Sequence, residues 1–331
     1  MTRVTLDPSA PFFRHPLRPH ELLERVTRTE DTIVLCHLGV PRLNPDDWSL
    51  SIDGLVRRSW RLTLDDLKRR PRMVITSVHQ CCGSPMQPEM PTRRICNIAW
   101  GGARLADLLT DCRPEPEARF VWASGADYGT FEGAKCEAYV KDLPLDRVAS
   151  DVLIAYEMNG APLRAENGYP ARLVVPGYYG TNSVKWLCRL TLMDTRAAGP
   201  FTTRWYNDVV RDAAGQPTGS TSPVWSIAPE SVIVSPAPNQ AVTAGELFEI
   251  WGWAWADGGV GSVELSTEGG SSWANAAVEP PGGRAWQRFS TTWRPERGQY
   301  ELCSRAQTIG GCSQPPTGAR NAVHRVTIEV A

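Results

Sequence analysis

The sequence predicts an α+β domain followed by an all-β sandwich, and three observations carry that expectation. The chain has 331 residues, more than one core normally organises, so two domains are expected. Up to about residue 225 it mixes period-2 apolar patterns with two short helical segments. Beyond that point helical periodicity disappears, and short alternating strands separated by Gly, Pro and Ser turns fill the rest of the chain. The expected division is therefore 1–225 and 226–331, with the proline-bearing stretch from Pro217 to Pro229 as the linker.

In order along the chain, a polar start to about residue 30 leads to Trp48-Ser49-Leu50-Ser51-Ile52-Asp53-Gly54, whose alternation reads as a half-buried strand. Thr63 is suited to cap a helix that opens with Leu64-Asp65-Asp66-Leu67, because its hydroxyl can accept from a free N–H of the first turn and the acidic pair favours the positive helix end. Lys68, Arg69 and Arg70 sit at the opposite end, where cations are favoured. Met73 to Thr76 reads as a strand, and Leu105 to Leu109 as a second short amphipathic helix. Strands and glycine turns resume at Phe120 and end in the buried run Arg172 to Gly177. In the last third, Ser231–Pro236, Leu247–Trp255, Val263–Ser266, Thr291–Arg294, Tyr300–Arg305 and Val323–Val330 alternate as strands. Val263–Ser266 pairs through a Glu268-Gly269-Gly270 turn, which brings the total to roughly seven.

A formal net charge of −1, with 42% apolar and 21% charged residues, leaves no basic field to recruit nucleic acid. No window approaches 18 uninterrupted apolar residues, and the first residues lack the basic-then-apolar order of a secretory signal. The expectation is a cytoplasmic protein as given, periplasmic if a leader was removed, without nucleic-acid or membrane partners, acting on a small molecule.

Chemistry is concentrated at Cys81, in Val78-His79-Gln80-Cys81-Cys82-Gly83-Ser84, a turn directly after an apolar β-branched strand. A thiolate there could ligate a soft metal or act as a nucleophile; most such cysteines are simply small buried residues, and local spacing does not choose. Nine cysteines, odd in number and irregular in spacing, argue for reduced thiols, although Cys303 and Cys312 flank a Gly310-Gly311 turn that leaves a bridge sterically open. No C-x2-C repeat or clustered histidines make a tetrahedral zinc set legible.

Several separate motifs together resemble the sulfite oxidase family of molybdenum-molybdopterin oxidoreductases, from about residue 30 to the C-terminus. Leu50-Ser51-Ile52-Asp53-Gly54 with Leu64-Asp65-Asp66-Leu67 is similar to the family's opening segment, Gln80-Cys81-Cys82-Gly83 to its Q-C-A-G turn, Trp100-Gly101-Gly102-Ala103-Arg104-Leu105 to its W-x-G-x-x-L element, and Gly125-Ala126-Asp127 to its G-A-D. The run from Ala155 through Gly160, Pro176 to Gly180 and Val184-Lys185-Trp186-Leu187 is the most specific. Ser266 to Trp273 and Asn321-Ala322-Val323-His324 resemble the family's immunoglobulin-like dimerisation domain. The resemblance implies a molybdopterin-binding domain of sulfite oxidase type, an immunoglobulin-like sandwich and a homodimer.

It further implies that Cys81 gives molybdenum its one protein thiolate, with Cys82 a packing residue. His37, Asp127, Asn167, Arg172, Ser183 and Lys185, with backbone from Ile33 to His37, would hold the pterin. Arg172 offers phosphate a planar fork, Lys185 a point charge and Asp127 an acceptor for the pterin's amino groups. Tyr206, in Arg204-Trp205-Tyr206, matches the tyrosine beside the metal's exchangeable oxygen, and Arg204 is the best remaining cation for an anionic substrate, with Arg93 or Arg94 as a second.

The departures concern substrate. Leu35, Pro85, Met86 and Pro316 stand where the family commonly has arginines, and Asn167 where it has histidine. Losing two or three charge-assisted contacts of about 1.5–3 kcal/mol each weakens sulfite binding by orders of magnitude. The expected activity is oxygen-atom transfer to or from a small, sulfur-containing substrate. No heme-binding segment or C-x-x-C-H is present, so electrons are expected to pass to an external carrier such as a c-type cytochrome. The alternatives are a cofactor-free scaffold and a Cys81/Cys82 thiol-redox protein.

Overall fold

The computed structural model describes residues 4–83, 94–212, 214–317 and 319–331. The chain packs as two compact units. The first comprises residues 1–14, 34–75 and 99–225, and the second residues 15–33, 76–98 and 226–331. The boundary at Trp225/Ser226 falls where the sequence pattern changes, but residues 15–33 and 76–98 join the second unit instead of the first. Hydrogen bonds account for this: Trp253 donates its indole N–H to the carbonyl of Leu22 (2.7 Å), and Val78 N–H donates to Arg284 (3.0 Å). The stretch expected as a linker is in part a strand, since Pro217–Pro223 pairs with Asn207–Arg211 as an exposed ribbon.

The first unit contains a five-stranded sheet in the order Val140–Pro144, Phe120–Gly125, Leu187–Met193, Ser49–Gly54, Trp60–Thr63. Only Leu187–Met193 and Ser49–Gly54 run parallel. Leu50 and Ile52 point into the core while Ser49, Ser51 and Asp53 stay half-buried, the alternation the sequence displays. Thr63 caps the helix Leu64–Lys68: its hydroxyl accepts from Asp66 N–H (3.2 Å) and the Asp66 carboxylate accepts from Thr63 N–H (3.0 Å), closing a reciprocal box. The second helix, Leu105–Cys112, buries Leu105, Leu108, Leu109 and Cys112, the i, i+3, i+4, i+7 stripe, against the same core.

Leu153–Met158 pairs with Ile95–Arg104 on one side and with Ala161–Pro162 and Arg172–Val174 on the other. Ile95–Arg104 and Arg72–Gln80 are neighbours in that sheet. Glycine is required within this pairing. A Cβ on Gly102 would lie 2.2 Å from the carbonyl oxygen of Ile154 and 2.7 Å from Ala155 Cα.

The second unit is built on seven strands in the order Glu230–Ser235, Phe248–Trp255, Gln287–Trp293, Ala274–Val278, Val260–Ser266, Gly298–Thr308, His324–Val330. Val263 pairs with Ala276 across the expected glycine turn, so Ala274–Val278 is the strand that no apolar pattern announced. Ile233, Ile250, Val263, Phe289, Leu302, Val326 and Ile328 form its core. Cys303 is buried in a strand, Cys312 is exposed, and both are free thiols. Among the described residues no helix is long and apolar enough to cross a membrane.

Gly102→Ala should lower the unfolding free energy by about 2 kcal/mol or more, because the new methyl has only backbone to displace. Urea denaturation of the variant beside wild type measures this, and an unchanged midpoint contradicts the close approach.

Candidate functional site

Three groups of side chains carry the expected site residues. In the first unit, the Lys185 ammonium donates to the carbonyl of Leu35 (3.0 Å), the carbonyl of Glu166 (3.0 Å) and Cys36 Sγ (2.8 Å), so all three of its N–H donors are used. Burial pushes its pKa down, and the nearby Arg172 adds to that, while Cys36 and Asp127 oppose it. Asp127 is buried, and its Oδ1 has no hydrogen-bond partner among the described residues. Burial raises its carboxyl to about 7 against the pull of the Lys185 charge.

Arg172 is only 3% exposed. Its guanidinium donates to the carbonyls of Asn167 (2.9 Å) and Ser183 (3.0 Å) and lies 4.8 Å from the Trp100 ring centroid. Asn167 is buried with Oδ1 unpartnered among the described residues, and Ser183 Oγ accepts from Val175 N–H (3.1 Å). Gly168 follows Asn167 with φ +105°, and a Cβ there would meet Lys185 Cβ at 3.0 Å and Arg172 Cβ at 3.1 Å. The fold thus brings Asp127, Asn167, Arg172, Ser183 and Lys185 into one neighbourhood of the first unit.

His37 and Tyr206 form a second cluster in that unit. The Tyr206 hydroxyl and His37 Nε2 are 2.5 Å apart, and the imidazole sits among Phe131 (4.8 Å between centroids), Tyr139 and Phe201 (both 5.5 Å). Burial, with a smaller contribution from the Lys185 charge, lowers the His37 pKa to about 4, so the ring is neutral near pH 7. Tyr206 has φ +64°, a left-handed conformation that costs energy for a tyrosine, and Val224 N–H holds its carbonyl at 3.0 Å. Lys141, 0% exposed, donates to the carbonyl of Phe201 (3.0 Å) and places its ammonium 5.2 Å from the Tyr206 ring centroid. Arg204 is exposed, its guanidinium 4.9 Å over the Trp205 ring.

Cys81 belongs to the second unit. Its thiol is pushed down to about 6, first by a hydrogen bond from the Cys82 thiol, then by Gly83 N–H at 3.4 Å and the Arg94 guanidinium, all against burial. Cys81 N–H donates to the carbonyl of Arg94 (2.9 Å). Arg94 therefore lies against the thiolate, whereas Ser84, Pro85, Met86 and Arg93 fall outside the described residues. Among the described residues no three His, Cys, Asp or Glu side chains gather as a metal-binding group.

Sequence reasoning missed Cys36, the Glu166 carbonyl, Trp100, Lys141 and the aromatic cage around His37. Only Lys141 left a signal, since Val140-Lys141-Asp142-Leu143 puts two adjacent charges inside an apolar strand, and both are buried. Asp142 is answered by Arg196 Nε at 2.9 Å.

A family model described as an oxidoreductase molybdopterin binding domain matches residues 37–201, and one described as a Mo-co oxidoreductase dimerisation domain matches residues 221–327. Mitochondrial sulfite oxidase of Homo sapiens is 32% identical over 97% of this chain and 65% of its own length. The NADPH nitrate reductase of Pichia angusta is 27% identical over 82% of this chain and 34% of its own. The chain thus spans somewhat less than two thirds of the curated relatives it matches. Among solved structures, the sulfane dehydrogenase SoxCD from Paracoccus pantotrophus superposes with a TM-score of 0.80 at 26% identity, covering 98% of this chain and 92% of that one. With both family models matched in order and the expected motifs set on their elements, the chain belongs to the sulfite oxidase family of molybdopterin-binding oxidoreductases.

Proposed function

We propose that this protein is a molybdenum-molybdopterin oxidoreductase that moves an oxygen atom to or from a small sulfur compound and passes electrons to an external carrier such as a c-type cytochrome, working as a homodimer through its β-sandwich. The observation that carries this reading is the pair of buried acceptors without partners among the described residues, Asp127 Oδ1 and Asn167 Oδ1, next to Arg172 and Lys185. Buried oxygens without partners cost about 1–3 kcal/mol each, and a polar, amino-bearing pterin would supply the missing donors. These acceptors therefore fit the cofactor.

When bound, the cofactor supplies two-electron oxygen-atom transfer. Cys81 would ligate molybdenum through a thiolate already favoured near neutral pH. Asp127 and Asn167 would accept from the pterin, and the Arg172 guanidinium, held by the carbonyls of Asn167 and Ser183, would present its charge beside them. Lys185, its donors engaged, would act on the cofactor phosphate through its charge and by fixing Cys36 and Glu166. Neutral His37 would hold the Tyr206 hydroxyl, so that a substrate oxygen reaching Tyr206 meets a group able to relay a proton between them.

The substrate carries less charge than sulfite on this reading, because Leu35 and Pro316 stand where the family resemblance would place arginines, and Arg204 lies over Trp205. Sulfane sulfur, named for the Paracoccus structure, is the first substrate class to try. With ferricyanide or cytochrome c as acceptor, kcat/KM for sulfite should fall at least about 100-fold below that for the best sulfane compound, the cost of two lost charge-assisted contacts. Sulfite as the best substrate would falsify the assignment.

Asp127 also makes a pH prediction. Its folded pKa, about 7 against 3.8, means that the folded chain keeps a proton which the unfolded chain releases, so cofactor-free protein loses stability as pH rises across that window. His37, lowered to about 4 from 6.5, acts with the opposite sign below pH 6.5. Asp127→Asn should therefore stabilise cofactor-free protein at pH 8 by about 2–4 kcal/mol, at about 1.4 kcal/mol per unit, and leave it unchanged at pH 3. Urea unfolding at the two pH values measures the difference; equal midpoints at pH 8 contradict the buried carboxylate.

A further inference from the structure

Gln80, immediately before Cys81, is 0% exposed and has every side-chain group engaged by sandwich residues of its own unit. Its Nε2 donates to Glu230 Oε2 (2.5 Å) and to Asn321 Oδ1 (2.7 Å), and its Oε1 accepts from the Trp255 indole N–H (2.9 Å). Glu230 opens one sandwich strand, Trp255 closes the next, and the two face each other in register. Asn321, at φ +63°, is fixed in turn by donating Nδ2 to the carbonyl of Ala228 (2.9 Å). On the other side of Cys81, Arg320 Nε donates to the carbonyl of Cys82 (2.7 Å). The residues before and after the thiol are thus both held by side chains from the far end of the sequence.

Burying a whole carboxylate at Glu230 is expensive, and an apolar contact would hold a dimerising sandwich together without that cost. What an amide clamped at three points gives instead is a fixed direction for the residue that follows it. We infer that Glu230, Trp255, Asn321 and Arg320 are positioning residues for the Cys81 thiol: the sandwich completes the metal ligand's geometry in addition to any role in association. The importance of that geometry for the metal rests on the reading of Cys81 as its thiolate; the clamp itself does not.

The test compares Glu230→Ala, which removes the charged acceptor, with Glu230→Gln, which keeps an amide oxygen at the same reach, and adds Trp255→Phe for the case that the alanine variant fails to fold. In metal-free protein, the rate at which iodoacetamide modifies Cys81 is followed by peptide mass spectrometry at fixed pH, beside the urea midpoint. Molybdenum per chain is measured on protein from a host that makes the cofactor. We expect Cys81 modification at least tenfold faster and molybdenum at least threefold lower in Glu230→Ala and Trp255→Phe, with Glu230→Gln within twofold of wild type on both. A residue of merely structural importance would move the urea midpoint and leave the native-state alkylation rate alone. Modification rates within twofold of wild type in both disruptive variants overturn the clamp. Because that arm needs no metal, wild type lacking molybdenum would overturn the ligand reading of Cys81 and leave the alkylation rates to decide the clamp.

Discussion

The first unit is organised around the buried Lys185 ammonium. Lys185 Nζ joins the Val34–Cys36 strand, through Leu35 and Cys36, to the Ala165–Asn167 turn through Glu166, and the next residue, Trp186, donates its indole N–H to Ala165 in the same turn (2.7 Å). A charge taken out of water must find partners, and here three acceptors converge on it while Asp127 supplies opposite charge without touching it. The turn so gripped carries Asn167, whose carbonyl holds Arg172, and leads to Gly168, whose missing Cβ leaves room for Lys185 and Arg172. One electrostatic requirement therefore sets three of the residues proposed to hold the cofactor.

The second unit solves a different problem. The thiolate proposed as a metal ligand sits in a turn, the least constrained kind of backbone, and a metal bond would need its direction fixed to a few tenths of an ångström. Regular structure ends at Gln80, so the fixing comes from side chains: Gln80 in its three-point clamp and Cys82 under Arg320. This explains why a segment from the first hundred residues packs with the last hundred, a partition that strand and helix patterns do not announce.

Elements with strong local signals were legible in the sequence: the Thr63 cap, the Leu105 helix, the alternating Ser49–Gly54 strand and most sandwich strands. Ala274–Val278 was not, because its alanines and asparagine carry no apolar alternation and its pairing comes from the turn. Pro217–Pro223 was read as linker because proline and serine suggest coil, yet an exposed ribbon tolerates both. The grouping of Asp127, Asn167, Arg172, Ser183 and Lys185 came from motif resemblance and could not have come from spacing, since 58 positions separate the first from the last. Backbone acceptors such as Leu35 and Glu166 are invisible to any reading of side-chain types.

On the proposed function, the buried acceptors and the Cys81 thiolate serve a molybdenum cofactor. Elemental analysis of the protein, purified from a host that makes molybdopterin, tests it most directly, with Cys81→Ser measured alongside. Wild type should hold close to one molybdenum per chain and the variant almost none. Folded wild-type protein without molybdenum, or a serine variant that keeps its metal, would contradict it.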